Sequence, residues 1–160
     1  MGPLACSGNG LLSRYQAREV ERLTLPGRVP GRGALLARFG LEDTDETFLV
    51  GVVHLSLGAA ARAIQLAFLA ERMANEPYAV LMGDFNCTID ANEMRGLWRH
   101  TRLEAAEAPA SFPSWKPQRA IDHILATPAL LGGPVEALAR SASDHLMVAR
   151  TIQLPSRLTD

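Results

Sequence analysis

The stretch "VLMGDFNCTID", Val80 to Asp90, is the part of the sequence that decides the fold. An apolar run ends at Gly83 and is followed by Asp84 and Asn86, which are spaced two apart. A plain turn is the simplest explanation, because glycine, aspartate and asparagine are all turn formers. The alternative is a metal or phosphate site at the carboxyl end of a buried strand, where side chains two apart face the same way.

The composition predicts a single globular domain over residues 1–160. Its 48% hydrophobic content is enough to build a core. Sixteen basic and 17 acidic residues give a formal net charge of −1, which excludes the global positive charge of a non-specific nucleic-acid binder. Cys6 and Cys87 form neither a metal-ligand spacing nor a disulfide framework. Cys87 is interpreted as a small buried residue.

The sequence also predicts a soluble, cytoplasmic protein without a membrane span. No apolar run reaches the length of about 20 residues that a spanning helix needs. The start, "MGPLACSGNG", lacks the charged and apolar segments of an export signal.

Hydrophobic periodicity alternates between strand-like and helix-like segments. Strands are predicted over 34–39, 47–55, 78–82, 120–126, 135–139 and 146–154, and helices over 59–74 and 92–99. Asn92 is the predicted cap of the second helix. This order of elements predicts a mixed α/β layered domain.

Polar side chains that suit chemistry lie at or near the ends of four predicted strands: His54, Asp84 with Asn86, Asp122, and Asp144 with His145. Each alone has a plain structural explanation as a turn, a cap or a partly buried histidine. Together they indicate a common cause, because converging carboxylates repel one another unless a cation lies among them. Oxygen donors favour a hard ion, Mg²⁺ or Mn²⁺, over structural zinc.

His145 is the predicted imidazole that tunes a water near neutral pH. Adjacent residues of a strand point to opposite faces, so the carboxylate that orients His145 is expected to be a residue other than Asp144.

Four segments in order resemble the endonuclease/exonuclease/phosphatase superfamily, which includes deoxyribonuclease-like and abasic-site nucleases. They are "VGVVHLSLG", "LMGDFN", "SFPSWKPQRAIDHIL" and "SASDHLMVARTI". Helical "RAIQLAFL" resembles the family's Arg-x-x-Gln helix, and "SGNGLLSRY" (residues 7–15) resembles the strand before the central motifs. The resemblance implies a partial four-layer α/β sandwich of deoxyribonuclease-like type, with mixed sheets and flanking helices.

The resemblance implies hydrolysis of a phosphoester by water with a divalent metal, Mg²⁺ or Mn²⁺. It assigns catalytic roles to His54, Asp84, Asn86, Asp122 and His145, and metal association to Asp84, Asn86, Asp144 and His145. In such enzymes the residue matching Asp84 orients or deprotonates the water or meets the leaving group, and the residue matching Asn86 holds a phosphate oxygen. His145 matches an acid or base oriented by Asp122. His54 matches a histidine on the leaving side.

One departure concerns the start of the chain. Family members carry a metal-binding glutamate well before the segment that "SGNGLLSRY" resembles, whereas here Met1 lies six residues before Ser7. The amino-terminal portion is therefore expected to be missing, with weak metal affinity, trace hydrolysis and self-association through uncovered sheet edges. The later acids Glu19, Glu21, Glu42 and Glu46 are expected to be surface charges in or beside loops.

Two functions stay open: a phosphoester hydrolase, and a catalytically incomplete remnant or interaction domain. A calcineurin-like metallophosphoesterase fits less well, because its Asp-x-His motif is not found upstream of Gly83. Lys116 is the only lysine, which slightly favours small-molecule or lipid phosphoesters over bulk nucleic acid. Arg99, Arg102 and Arg119 are the residues that would form a local basic patch.

Overall fold

The structure is a computed structural model that describes residues 8–27, 31–138 and 143–159. Cys6 and Ser7 lie outside the described residues. The strands are β1 Glu19–Thr24, β2 Gly33–Gly40, β3 Thr47–His54, β4 Ala79–Asp84, β5 Glu104–Ala105, β6 Asp122–Ala126, β7 Leu131–Leu138 and β8 Met147–Gln153. The helices are α1 Ala59–Met73 and α2 Arg95–His100, with a 3-10 turn at Asn92–Met94 directly before α2.

Six strands form one mixed sheet in the order β1-β2-β3-β4-β6-β5, and β7 and β8 form a separate antiparallel pair. Strands β3 and β4 are parallel. A parallel neighbour needs a crossover connection, and helix α1 provides it. The carboxyl ends of β3 and β4 therefore lie together at one edge of the sheet.

Helix α1 covers one face of the six-stranded sheet. Its buried side chains Leu66, Leu69 and Met73 join a core with Leu81 and Phe85. Helix α2 and the 3-10 turn pack against α1. Helix α1 thus packs on more than one neighbour.

The opposite face of the same sheet carries a second core. Phe39, Phe48 and Val80 are buried there, with Ile152 of β8 and the following Leu154 packed against them. The described residues therefore form three layers: helices, the six-stranded sheet, and the β7–β8 pair. The predicted mixed α/β layered domain is confirmed.

The predicted elements are present, with ends shifted by a few residues. The largest shift is in β7, which begins at Leu131 and not at 135. Asn92 does not cap a helix, because it is the first residue of the 3-10 turn, whose cap is Ala91. Cys87 is buried, as predicted, and burial raises the pKa of its thiol to about 11.

Two predictions about the first third of the chain are wrong. Residues 8–15 form no strand, and the amide of Asn9 instead donates to the carbonyl groups of Gly33 and Val52. Glu19 and Glu21 do not lie in loops but on edge strand β1, where they are solvated and paired with Arg38 and Arg72. The strand was not predicted because it is rich in charged residues and has no apolar face. An exposed edge strand needs few apolar side chains.

Glu42 and Glu46 are exposed residues between β2 and β3, as expected. No helix in the described part of the chain is long and apolar enough to cross a membrane.

Gly83 is the residue whose backbone requires glycine. Its φ is +135°, and a Cβ added there would lie 2.0 Å from the carbonyl oxygen of Val53 on the neighbouring strand. Only a residue without a side chain permits this close approach. Strand β4 can therefore reach Asp84 while still paired with β3.

We expect Gly83→Ala to lower the free energy of unfolding by about 1–3 kcal/mol or more, because the methyl group meets backbone and the φ is unfavourable. Gly96→Ala is the matched control. Gly96 lies in α2 with no atom within 4 Å of an added Cβ, so this change should stabilise by about 0.5–1 kcal/mol. Urea unfolding measures both. Equal stability of the two variants would contradict this account of β4.

Candidate active site

A row of three polar side chains crosses the sheet at the carboxyl end of β3 and β4. In the register of the sheet, His54 of β3 is the partner of Asp84 on β4, and Asp84 is the partner of Asp122 on β6. Directly opposed residues on neighbouring strands share a face and lie about 4.5–5.5 Å apart at Cβ. His54 Nε2 is 3.3 Å from Asp84 Oδ2.

The turn after β4 fixes Asp84 and Asn86. The Asn86 backbone N–H donates to Asp84 Oδ1 at 2.8 Å, and the Asn86 side-chain amide donates to the Leu55 carbonyl at 2.8 Å. Asn86 has a φ of +55°, which asparagine tolerates better than most residues. The turn explanation of "GDFN" is therefore correct, and the same turn orients Asp84 and Asn86. A metal or phosphate site at this turn stays a prediction.

His145 reaches the same row from the segment before β8. Its Nδ1 lies 2.8 Å from Asp122 Oδ2, and its Nε2 lies 4.0 Å from Asp84 Oδ2. The ring packs against Phe112, with the two ring centroids 4.8 Å apart. Because Asp122 accepts the Nδ1 proton, Nε2 is the ring nitrogen on the side of Asp84.

The two histidines are shifted in opposite directions. Burial lowers the pKa of His145, but the hydrogen bond and charge of Asp122, with the charges of Asp84 and Asp144, outweigh it and raise this pKa above its usual value. Burial and the charge of Arg32 lower the pKa of His54. As the pH rises, His54 therefore loses its proton before His145 does.

The donor atoms of Asp84, Asp122 and His145 all lie within 4.8 Å of one another. Two carboxylates are a suitable donor set for Mg²⁺, which is usually held by one or two carboxylates and keeps several waters. Asn86 lines the same cavity, and a metal role for its amide oxygen stays a prediction. The residues therefore fit a hard divalent ion.

Asp144 is placed differently from the other acids. It lines the cavity but is exposed, and its Oδ1 accepts a hydrogen bond from Ser143 Oγ at 3.2 Å. Its carboxylate is not one of the three donors in the compact cluster. A metal role for Asp144 stays a prediction.

The predicted site residues line one open cavity of about 490 Å³, a size typical of small-molecule sites. Arg119 also lines it and brings a guanidinium, which can bind phosphate oxygens. Arg99 and Arg102 are exposed but are not among the residues that line the cavity. Of the three arginines predicted to form a basic patch, Arg119 is therefore the one that lines the cavity.

Sequence reasoning missed Ser111, which holds the histidine side of the site. Its side chain is fully buried, its hydroxyl donates to Asp122 Oδ2, and its carbonyl accepts the Leu146 N–H at 2.8 Å. Ser111 thus links Asp122 to the segment that carries His145. Serine in "SFPSW" gave no signal of this, because the contact joins residues distant in sequence.

A second missed pair, Arg62 and Glu93, ties the loop after β3 to the 3-10 turn before α2. The Arg62 guanidinium donates to Glu93 and to the carbonyl groups of Ser56 and Leu57. Both charged side chains are only 9% exposed. The Arg-x-x-Gln pattern contains Arg62 but gives no indication of its acidic partner.

Residues 7–145 match the model of the Endonuclease/Exonuclease/phosphatase family. The chain belongs to this family. The match covers all of the site residues described above. No curated protein matches the chain.

Several solved structures share the fold of the chain. A functionally unknown conserved protein from Enterococcus faecalis V583 has 22% identity and a TM-score of 0.72, over 86% of this chain and 66% of that one. The mannosyl-6-phosphatase Bt3783 of Bacteroides thetaiotaomicron has 20% identity and a TM-score of 0.70, over 87% and 67%. The human Nocturnin catalytic domain, solved with a bound sulfate anion, has 17% identity and a TM-score of 0.68, over 88% and 61%. The deoxyribonuclease-like fold expected from the resemblance is confirmed, and the chain spans 61% to 67% of the length of these three structures.

In the metal-free protein we expect His145 to titrate above, and His54 below, the usual histidine pKa of about 6.5. Asp122→Asn should lower the pKa of His145, because a neutral amide no longer stabilises the imidazolium. Asp144→Asn is the control and should lower it less. Histidine NMR titrations in EDTA measure each value, and a larger effect of Asp144→Asn would refute the pairing.

Proposed function

We propose that the protein hydrolyses a phosphoester with a divalent cation, Mg²⁺ or Mn²⁺, and a water nucleophile. The observation that carries the proposal is the row His54, Asp84 and Asp122, joined by His145, in one cavity of a chain of this family. Phosphoryl transfer needs mainly charge stabilisation and alignment, and this row offers both. Mannosyl-6-phosphatase among the structural neighbours is a phosphatase by name, which agrees with this class of reaction.

Asp84 and Asn86, with Asp122 beside them, would hold the cation. When bound, the ion polarises the phosphate and lowers the pKa of water. Asp84 Oδ2 lies 3.3 Å from His54 Nε2 and 4.0 Å from His145 Nε2, and this position supports a role for Asp84 in orienting a water.

His145 contributes a fixed imidazole. Its Nδ1 is held by Asp122, which sets the tautomer, and Nε2 is the atom that would donate to a phosphate oxygen when protonated or accept a proton when neutral. His54 holds its proton less strongly and is placed on the other side of Asp84, where it would serve the leaving group. Arg119 would bind a phosphate oxygen at the mouth of the cavity.

One observation favours the second candidate, a catalytically incomplete remnant or interaction domain. The two neighbouring carboxylates already have protein partners, since Asp122 accepts from Ser111 and His145, and Asp84 from the Asn86 N–H. Such a cluster is compensated without an ion. Metal-dependent turnover separates the two candidates.

We expect hydrolysis of bis(p-nitrophenyl) phosphate or p-nitrophenyl phosphate that requires Mg²⁺ or Mn²⁺ and is abolished by EDTA. Asp84→Ala and His145→Ala should each reduce kcat/KM by about 10²- to 10⁴-fold, because each removes a positioned acid, base or ligand. Asp45→Ala and His100→Ala are matched controls, since both residues are exposed and neither lines the cavity. Site variants as active as these controls would overturn the proposal and favour the interaction domain.

We further propose that bulk nucleic acid is not the preferred substrate. The chain has one lysine and a net charge of −1, so few phosphates can be neutralised at once. Duplex DNA should bind more weakly than about 1 µM at physiological salt in a gel-shift titration. Submicromolar binding that Arg119→Ala weakens would contradict this and assign Arg119 to a DNA interface.

A further inference from the structure

A second, apolar groove lies beside the candidate active site. It has a volume of about 440 Å³ and is formed by the start of α1 and the segment before it, with Leu57, Gly58, Ala60, Ala61 and Ile64 on its walls. Leu57 is 76% exposed and Ile64 is 56% exposed. Large apolar side chains grouped on a concave surface are typical of binding sites. This surface is called the Leu57 groove below.

The Leu57 groove adjoins the cavity that holds the polar row. Leu57 lines both spaces, and His54 lies three residues before it on the chain. The two spaces differ in chemistry, because the cavity carries carboxylates and imidazoles, whereas no carboxylate is among the described residues that line the groove. A ligand that filled both would need one anionic end and one apolar end.

Arg32 carries a positive charge that complements the anionic end of such a ligand. It lines the Leu57 groove, and its positive charge acts on His54 in the neighbouring cavity. A cation on the wall of the groove, whose charge reaches His54, favours a ligand that carries an anionic group. The stem of arginine can also cover apolar surface while its guanidinium stays in water.

Buried hydrogen bonds fix the segment before α1 that forms one wall of the groove. The buried side chain of Gln65 accepts the Ser56 N–H at 2.9 Å and donates to Ser56 Oγ at 2.9 Å, while Arg62 donates to the Ser56 carbonyl at 3.1 Å. Buried polar contacts of this kind fix the loop that presents Leu57. The exposure of Leu57 therefore belongs to an ordered surface.

We propose that the Leu57 groove binds the apolar alcohol part of the substrate, so that the substrate is a soluble phosphoester of a short alkyl or aryl alcohol. This inference rests on the proposed function, because it takes the neighbouring cavity as the phosphate site. Burial of Leu57 and Ile64 by the alcohol would add affinity in proportion to the apolar area covered. The groove then selects among phosphoesters, and the polar row acts on all of them.

The test compares octylphosphonate with methylphosphonate, below the micelle-forming concentration of the former, by NMR titration of backbone amides with Mg²⁺ present. Both probes carry the phosphate-like end and neither has an ester bond to hydrolyse. We expect octylphosphonate to bind roughly tenfold or more tightly, with additional shifts at residues 57–64. Ile64→Asp and Ile64→Ser should each remove most of this advantage and leave methylphosphonate binding unchanged.

Ala67→Asp is the matched control, because Ala67 is exposed on the same helix and does not line the groove, so it should keep the advantage. Equal affinity for the two probes in the unaltered protein would overturn the groove and leave the proposed phosphate site standing. If octylphosphonate binds more tightly but neither Ile64 variant changes this, its alkyl group binds elsewhere. That result would also overturn the role proposed for the Leu57 groove. Binding of neither probe would overturn the phosphate site together with the groove.

Discussion

The register of strand β4 is the constraint on which the site depends. Asp84 stands beside His54 on one neighbouring strand and beside Asp122 on the other, and a slip of one residue would turn Asp84 to the opposite face of the sheet. Gly83 lets β4 keep this register to its last residue, because its backbone passes where any side chain would meet the Val53 carbonyl. Strand pairing alone therefore places His54, Asp84 and Asp122 side by side.

This arrangement brings two carboxylates together, and the surrounding residues compensate for their repulsion. His145 lies between them, 2.8 Å from Asp122 and 4.0 Å from Asp84, and Ser111 donates to Asp122 from a fully buried position. A site held by its own hydrogen bonds is preorganised, so little rearrangement is needed when a cation or phosphate arrives. The neighbouring carboxylates raise the pKa of His145 despite its burial, whereas burial and the charge of Arg32 lower the pKa of His54.

The sequence was sufficient for the elements that bury a clear apolar pattern. Strands β2, β3 and β4 and helix α1 were predicted within two residues at each end, and the polar residues at their ends meet in one cavity, as expected. Strand β1 was missed, because its exposed, charged residues carry no alternating apolar pattern. Ser111 and Glu93 were missed for a different reason. Their roles come from partners 11 and 31 residues away, and such pairings are fixed by tertiary packing.

The central claim is that the row set by β4 holds a divalent cation at Asp84. A crystal of the protein soaked in Mn²⁺ and measured for anomalous scattering tests it most directly. The account requires an anomalous peak about 2.1 Å from a carboxylate oxygen of Asp84, within the cavity that His145 and Asn86 line, and its loss in an Asp84→Asn crystal. No peak at saturating Mn²⁺, or a peak that survives in the variant, would contradict the account.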